Sequence, residues 1–146
     1  MDGITNINKE DCMAKLSVIE GIGPAYEEKL KEAGVTSIEN LLEVCTSKKG
    51  RKDLAEKVDL SEKLILKWAN HADLMRIKGV GGEYAELLEA SGVDTIPELA
   101  QRNPENLYKK MVEVNEEKEL VRKLPTEKQI QKWVKEADSL PRVLNY

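Results

Sequence analysis

At 146 residues the chain fits one ordinary domain or two very small ones. It is 40% hydrophobic and 34% charged, with 4% aromatics and no Phe, so any core must be built from Leu, Ile, Val and Ala, which suits packed helices. The formal net charge of -4 excludes a uniformly basic surface, so a positive face for nucleic acid would have to be local.

Residues 1–10 are polar and acidic, without the apolar stretch of a secretory signal. No apolar run approaches the roughly 20 residues of a membrane span. Cys12 and Cys45 are far apart and match no metal-ligand spacing, so reduced thiols are expected. The expectation is a soluble, cytoplasmic protein with no membrane contact, no metal and no cofactor.

In chain order, Pro24 suits the first turn of a helix running to about Ala33, closed by Gly34 as a left-handed cap. Thr36 with Glu39 reads as a capping box for the next helix, to about Cys45. Thr46 and Ser47 precede a helix through about Val58. Ser61 caps another to about Asp73, with Ile65, Trp68, Ala69 and Ala72 on one apolar face. A helix is then expected from Gly82 to Ala90, closed by Gly92, and another from Thr95 with Glu98. Asn103-Pro104 supplies an N-cap and a first-turn proline, and Thr126 with Gln129 forms a capping box for the last helix. No segment alternates with a strand's period of two, so the fold class is all-α.

The chain also repeats itself. Ile19-Glu20-Gly21-Ile22-Gly23 matches Ile77-Lys78-Gly79-Val80-Gly81. Without a gap, Tyr26, Leu30, Gly34-Val35, Ile38 and Leu41 then meet Tyr84, Leu88, Gly92-Val93, Ile96 and Leu99. A second block, Ser61-Glu62-Lys63 with Ile65, Lys67, Trp68, Ala72 and Asp73, returns as Thr126-Glu127-Lys128 with Ile130, Lys132, Trp133, Ala137 and Asp138. Its larger spacing implies an insertion in the second copy, most naturally in residues 115–125. Duplication explains two collinear blocks better than chance does.

An apolar residue, Gly-apolar-Gly, a helix, then Gly-apolar and another helix is a pattern that resembles the helix-hairpin-helix family, at residues 19–42 and again at 77–99. The chain is also similar to a bacterial domain family of unknown function with the same two-copy plan. The resemblance implies two tandem helix-hairpin-helix (SAM-like) units, residues 1–73 and 74–146, packed as one compact helical body. It further implies sequence-independent gripping of a DNA or RNA backbone. Glycines let the backbone approach a ligand closely, and outward amides beside a helix N-terminus suit a phosphate oxygen. Related hairpins can also hold a monovalent cation. By position the contacts would be Gly21, Ile22 and Gly23, and Gly79, Val80 and Gly81, with Lys78 as a neighbouring charge. Gly23 and Gly81 are expected to be strained by a β-branched replacement.

The same segments depart from a binding hairpin. Pro24 deletes an amide, and Glu27, Glu28, Glu83 and Glu86 follow the glycines where Lys or Arg would serve. First-turn carboxylates favour the helix dipole by roughly 0.3–1 kcal/mol each, and repel a phosphate by about 1 kcal/mol per close pair in water. Three readings therefore stand for each Gly-x-Gly: a tight turn between packed helices, a phosphate contact, or a contact to another ligand.

The densest basic run is Lys48, Lys49, Arg51 and Lys52, either a solvated loop or a set of phosphate contacts. Residues 51–68 resemble a helix-turn-helix whose second helix would expose Glu62, Lys63, Lys67 and Asn70, but an ordinary packed helix pair is the preferred reading. Trp68 and Trp133 are read as core, and Tyr26 and Tyr84 as core or inter-helix residues with a wet hydroxyl. His71, the single histidine, sits near a helix C-terminus, where positive charge is welcome. No acid/base pair, nucleophile or phosphate loop is present, so an enzyme is not expected. The functional expectation is nucleic-acid backbone binding, and the alternative is an acidic protein-interaction or scaffold module.

Overall fold

A computed structural model describes residues 15–146, and Cys12 and the acidic N-terminal residues lie outside them. Among the described residues there are eight α-helices and no strand. A 3-10 turn, Leu16–Val18, leads into α1 (Pro24–Glu32), α2 (Ile38–Val44), α3 (Lys48–Val58) and α4 (Glu62–Leu74). Then come α5 (Gly82–Ala90), α6 (Ile96–Ala100), α7 (Pro104–Lys118) and α8 (Glu127–Ser139). None is long and apolar enough to cross a membrane.

The helices start where short polar side chains replace missing backbone partners. The side chains of Ser47, Ser61, Thr95 and Asn103 each accept an amide three residues on, at 3.0–3.2 Å. Thr126 and Gln129 make the full capping box. One expected cap is displaced. Ser37, not Thr36, starts α2 by accepting the Asn40 amide at 3.0 Å, while the Thr36 amide donates to Asn40 Oδ1. Asparagine, rather than the expected Glu39, supplies the return bond because α2 begins one residue later.

α1 and α5 end alike. Gly34 and Gly92 are left-handed, at φ +91° and +94°. The amides of Val35 and Val93 reach back to the carbonyls of Leu30 and Leu88 at 2.8 and 2.9 Å. This is the Schellman closure, with an apolar residue after the glycine returned to the core.

Buried side chains fall into two clusters. The first draws on Leu16, Leu30, Leu41, Ile65 and Trp68 of the early helices, plus Leu144 from the chain's far end. The second draws on Leu74, Leu88, Leu99, Met111 and Trp133. α4 feeds both, giving Ala72 to the first and Leu74 to the second, while Met75 packs against each. Its last seven residues, 68–74, are all buried. The insertion lies where the sequence suggests: α7 has 15 residues against 11 in α3, and the link to the next helix lengthens from residues 59–61 to 119–126. Asn115 clamps that link with two bonds to the Val121 backbone, at 2.9 and 3.1 Å.

Candidate nucleic-acid interface

Each Gly-x-Gly segment is a tight turn. The Ile22 amide donates to the Ile19 carbonyl and the Val80 amide to the Ile77 carbonyl, both at 3.1 Å. Gly21 and Gly79 sit third in these turns at φ +93° and +90°, the left-handed position of a type II turn. Ile19, Ile22, Ile77 and Val80 point into the cores, so the glycines are left outside. Behind each turn stands a tryptophan. A Cβ on Gly21 would lie 3.8 Å from Trp68 Nε1, and one on Gly79 would lie 3.4 Å from Trp133 Nε1. Tyr26 leans on Trp68 at 5.2 Å between ring centroids, and Tyr84 on Trp133 at 5.3 Å. These aromatic pairs brace the turns, as tilted rings do.

Two expectations are corrected by this geometry. Ile22 and Val80 spend their amides closing the turns and their side chains in the cores, so neither has a donor for a ligand. Strain falls on Gly21 and Gly79, not on Gly23 and Gly81. The latter are extended, with φ -85° and -98°, and an added Cβ there meets nothing within 4 Å. They are open ground beside the N-termini of α1 and α5.

The start of α5 packs on the backbone beside the first turn. A Cβ on Gly82, the first residue of α5, would run into the Val18 carbonyl oxygen and lie 3.6 Å from the Glu20 amide nitrogen. Only glycine lets the start of α5 seat there. The matching residue of the first copy is Pro24, which is exposed. The contact is therefore one-sided, second copy onto first.

Charge around the turns is mixed. Lys78 is exposed beside the second turn, and its amide already holds an anion, the Glu136 carboxylate, at 3.2 and 3.3 Å. Glu20, Glu28 and Glu83 are exposed around the glycines, Glu86 is half-buried, and Glu27 pairs with Lys31 at 3.9 Å.

The basic run divides. Lys48, Lys49 and Lys52 are exposed on the first turns of α3, and Lys49 pairs with Asp53 at 3.6 Å. Arg51 is only 5% exposed. Its guanidinium donates to the Cys45 carbonyl and to the Asn145 carbonyl, both at 2.8 Å. The sequence places it in the exposed basic run; in the fold it is instead a buried clasp on Asn145. Lys48 and Arg51 line a groove of about 300 Å³ with Glu62, Lys63, Leu66 and Tyr146, none of which belongs to either glycine turn. The docked C-terminal residues were missed. Their only sequence signal is apolar Val143, Leu144 and Tyr146 after the last helix.

On α4, the helix-turn-helix alternative, already second to a packed helix pair, loses one of its contacts. Asn70 is 8% exposed and accepts the Tyr146 hydroxyl at 2.6 Å, so it cannot face a groove of DNA. His71 is fully buried, with Nε2 3.0 Å from Glu89 Oε2 on α5 and Nδ1 without a partner among the described residues. Burial alone would raise the Glu89 carboxyl, but His71 and Lys67 outweigh it and hold the group below the usual range. Asp94 is pushed up, first by burial and then by Glu98 and Glu89. Lys63, Lys67, Asn70, Glu89 and Asp94 share a groove of about 630 Å³ along α4. Its mixed charges name no reaction. Among the described residues no group of His, Cys, Asp and Glu could hold a metal ion. Buried Cys45 has its thiol pushed up to about 12 by burial, so it stays protonated and unreactive.

No curated protein and no solved structure matches the chain. A family model described as a domain of unknown function, DUF4332, matches residues 5–140, nearly the whole chain, and the chain therefore belongs to that family.

Proposed function

We propose that this chain is a non-enzymatic, cytoplasmic nucleic-acid-binding protein. It is built from two tandem helix-hairpin-helix units, residues 1–73 and 74–146, that grip a DNA or RNA backbone without reading its sequence. One observation carries the reading: the start of α5, just after the second glycine turn, packs on the backbone at the first, with Gly21, Gly23, Gly79 and Gly81 all exposed. Neighbouring turns can engage successive phosphates of one strand, which a lone turn cannot. Open glycines let phosphate oxygens reach the amides and the N-termini of α1 and α5. The carboxylate already held on the Lys78 amide supports this, because it shows that backbone accepting an anion.

The alternative is a protein-interaction module. The acidic residues around the turns and the withdrawal of Arg51 from the surface favour it. Fluorescence polarisation with labelled single- and double-stranded DNA and RNA, at low and at physiological salt, separates the two. The proposal expects binding that weakens steeply with salt, since each neutralised phosphate releases counterions. No binding even at low salt would transfer the case to the protein-interaction module.

A further inference from the structure

After α8 the chain leaves its own cluster and crosses to the other. Arg76 donates to the Pro141 carbonyl at 2.9 Å as the chain turns back. Leu144 then enters the first cluster at 1% exposure. The Asn145 amide donates to the Thr46 carbonyl at 2.8 Å, and its carbonyl accepts from Arg51. The Tyr146 ring lies 5.6 Å from the Arg51 guanidinium and 5.8 Å from that of Arg142.

This segment has one apolar anchor, Leu144. Its other contacts are polar and only part-buried, and Tyr146 is 53% exposed. What it covers is chemically distinct. Arg51 is held from behind by the Cys45 carbonyl, a bond that does not involve the strap. In front of it, Lys48 and Lys63 wall the same groove against a single carboxylate, Glu62. In a chain of net charge -4, this groove is locally positive. The Asn145 carbonyl occupies one arm of the arginine with a neutral oxygen. A phosphate oxygen on that arm would make a shorter, charge-assisted bond, roughly twice as strong.

We propose that residues 141–146 are an autoinhibitory strap over a second nucleic-acid backbone site, formed by Lys48, Arg51 and Lys63. A phosphate-bearing strand and the strap compete for Arg51. The inference rests on the nucleic-acid reading above, but it uses a different face from the glycine turns.

The test compares the full chain with an Asn145→Pro/Tyr146→Ala variant, which loses the bonds to Thr46 and Asn70 but keeps Leu144. Both are titrated with a labelled single-stranded DNA oligonucleotide at low salt. Apparent affinity scales with the fraction of open chains, so a strap seated nine-tenths of the time gives roughly tenfold tighter binding on its release. Adding Lys48→Gln and Lys63→Gln should abolish the gain. In the unsubstituted chain, hydrogen exchange at the Asn145 amide should quicken as the oligonucleotide is added, a readout that needs no variant to fold. Unchanged affinity in a folded variant, a gain that survives the lysine substitutions, or Asn145 protection unaltered at saturating oligonucleotide would each overturn the strap. If Gly23→Ala/Gly81→Ala leaves binding intact while the strap-dependent gain persists, the turns drop out and the strap stands. If neither chain binds, both proposals fall.

Discussion

The two glycine turns share a backbone and differ in what surrounds them. Both place a left-handed glycine third in the turn, tuck apolar neighbours inward and stand before a Tyr–Trp pair. At the next helix start, however, the first copy has exposed Pro24 and the second has Gly82 pressed on the Val18 carbonyl. Behind the turns the difference recurs. Glu136 reaches the Lys78 amide, while His71, at the matching place on α4, turns away to Glu89. What the copies share makes the turn. Where they differ is where one copy has to fit the other.

The comparison can be broken at several strengths. The largest effect belongs to the shared cores. Leu30→Ala and Leu88→Ala, both at fully buried positions, should each cost about 2–5 kcal/mol in chemical denaturation, and similar costs would confirm that the two cores are equally tight. Next comes the contact of the α5 start with the backbone at the first turn. Gly82→Ala should cost about 1–3 kcal/mol because its Cβ has to displace backbone, whereas Pro24→Ala should stay within about 0.5 kcal/mol. Equal melting curves for the two would remove the one-sided packing.

Turn strain is of comparable size. Gly21→Ala and Gly79→Ala should each lose roughly 1–2 kcal/mol for forcing an L residue left-handed. Gly23→Ala and Gly81→Ala should leave the thermal transition in place, since both positions are extended and open. That makes the latter pair suited to testing binding apart from folding.

A smaller effect is a pH dependence at the α4–α5 joint. The Glu89 carboxyl lies below its ordinary value of 4.5 in the folded chain. Its stabilising contribution is therefore present above that value and lost as pH falls through the folded pKa. Asp94 has the opposite sign, because its raised carboxyl contributes below its ordinary value of 3.8 and loses that contribution as pH rises through the folded pKa. Glu89→Gln should accordingly flatten the acid limb of a stability–pH profile, and Asp94→Asn should raise stability near neutrality. An acid limb unchanged by Glu89→Gln would show that the joint does not depend on the ionised Glu89 carboxylate. Smallest of all, Lys48→Glu with Lys49→Glu should leave folding intact, since both side chains are exposed.

Local chemistry made most of the helices legible in the sequence. Ser47, Ser61, Thr95, Asn103 and Thr126 are caps because of what they are, wherever the chain then goes. Gly34 and Gly92 are likewise readable, because an apolar residue follows each. The repeat exposed the paired turns, and the doubled Tyr and Trp marked the residues that brace them. What stayed hidden depends on distant contacts. Nothing near Arg51 reveals that Asn145 will sit on it, and nothing near Gly82 announces the Val18 carbonyl. Asn70 looks like a surface residue of α4 until Tyr146 covers it. The candidate site was legible as to its glycines but not its charges. The run from Lys48 to Lys52 reads as one basic patch, and folding withdraws its arginine.

The most direct test of the paired turns is a nuclear magnetic resonance titration of the labelled chain with a single-stranded DNA oligonucleotide at low salt. The account predicts that the Gly21, Gly23, Gly79 and Gly81 amides shift together along one saturation curve that weakens as salt is added. It also predicts that Gly23→Ala/Gly81→Ala abolishes those shifts without altering the fold. Saturable binding with all four amides unmoved would contradict the central claim that the two turns form a shared phosphate site.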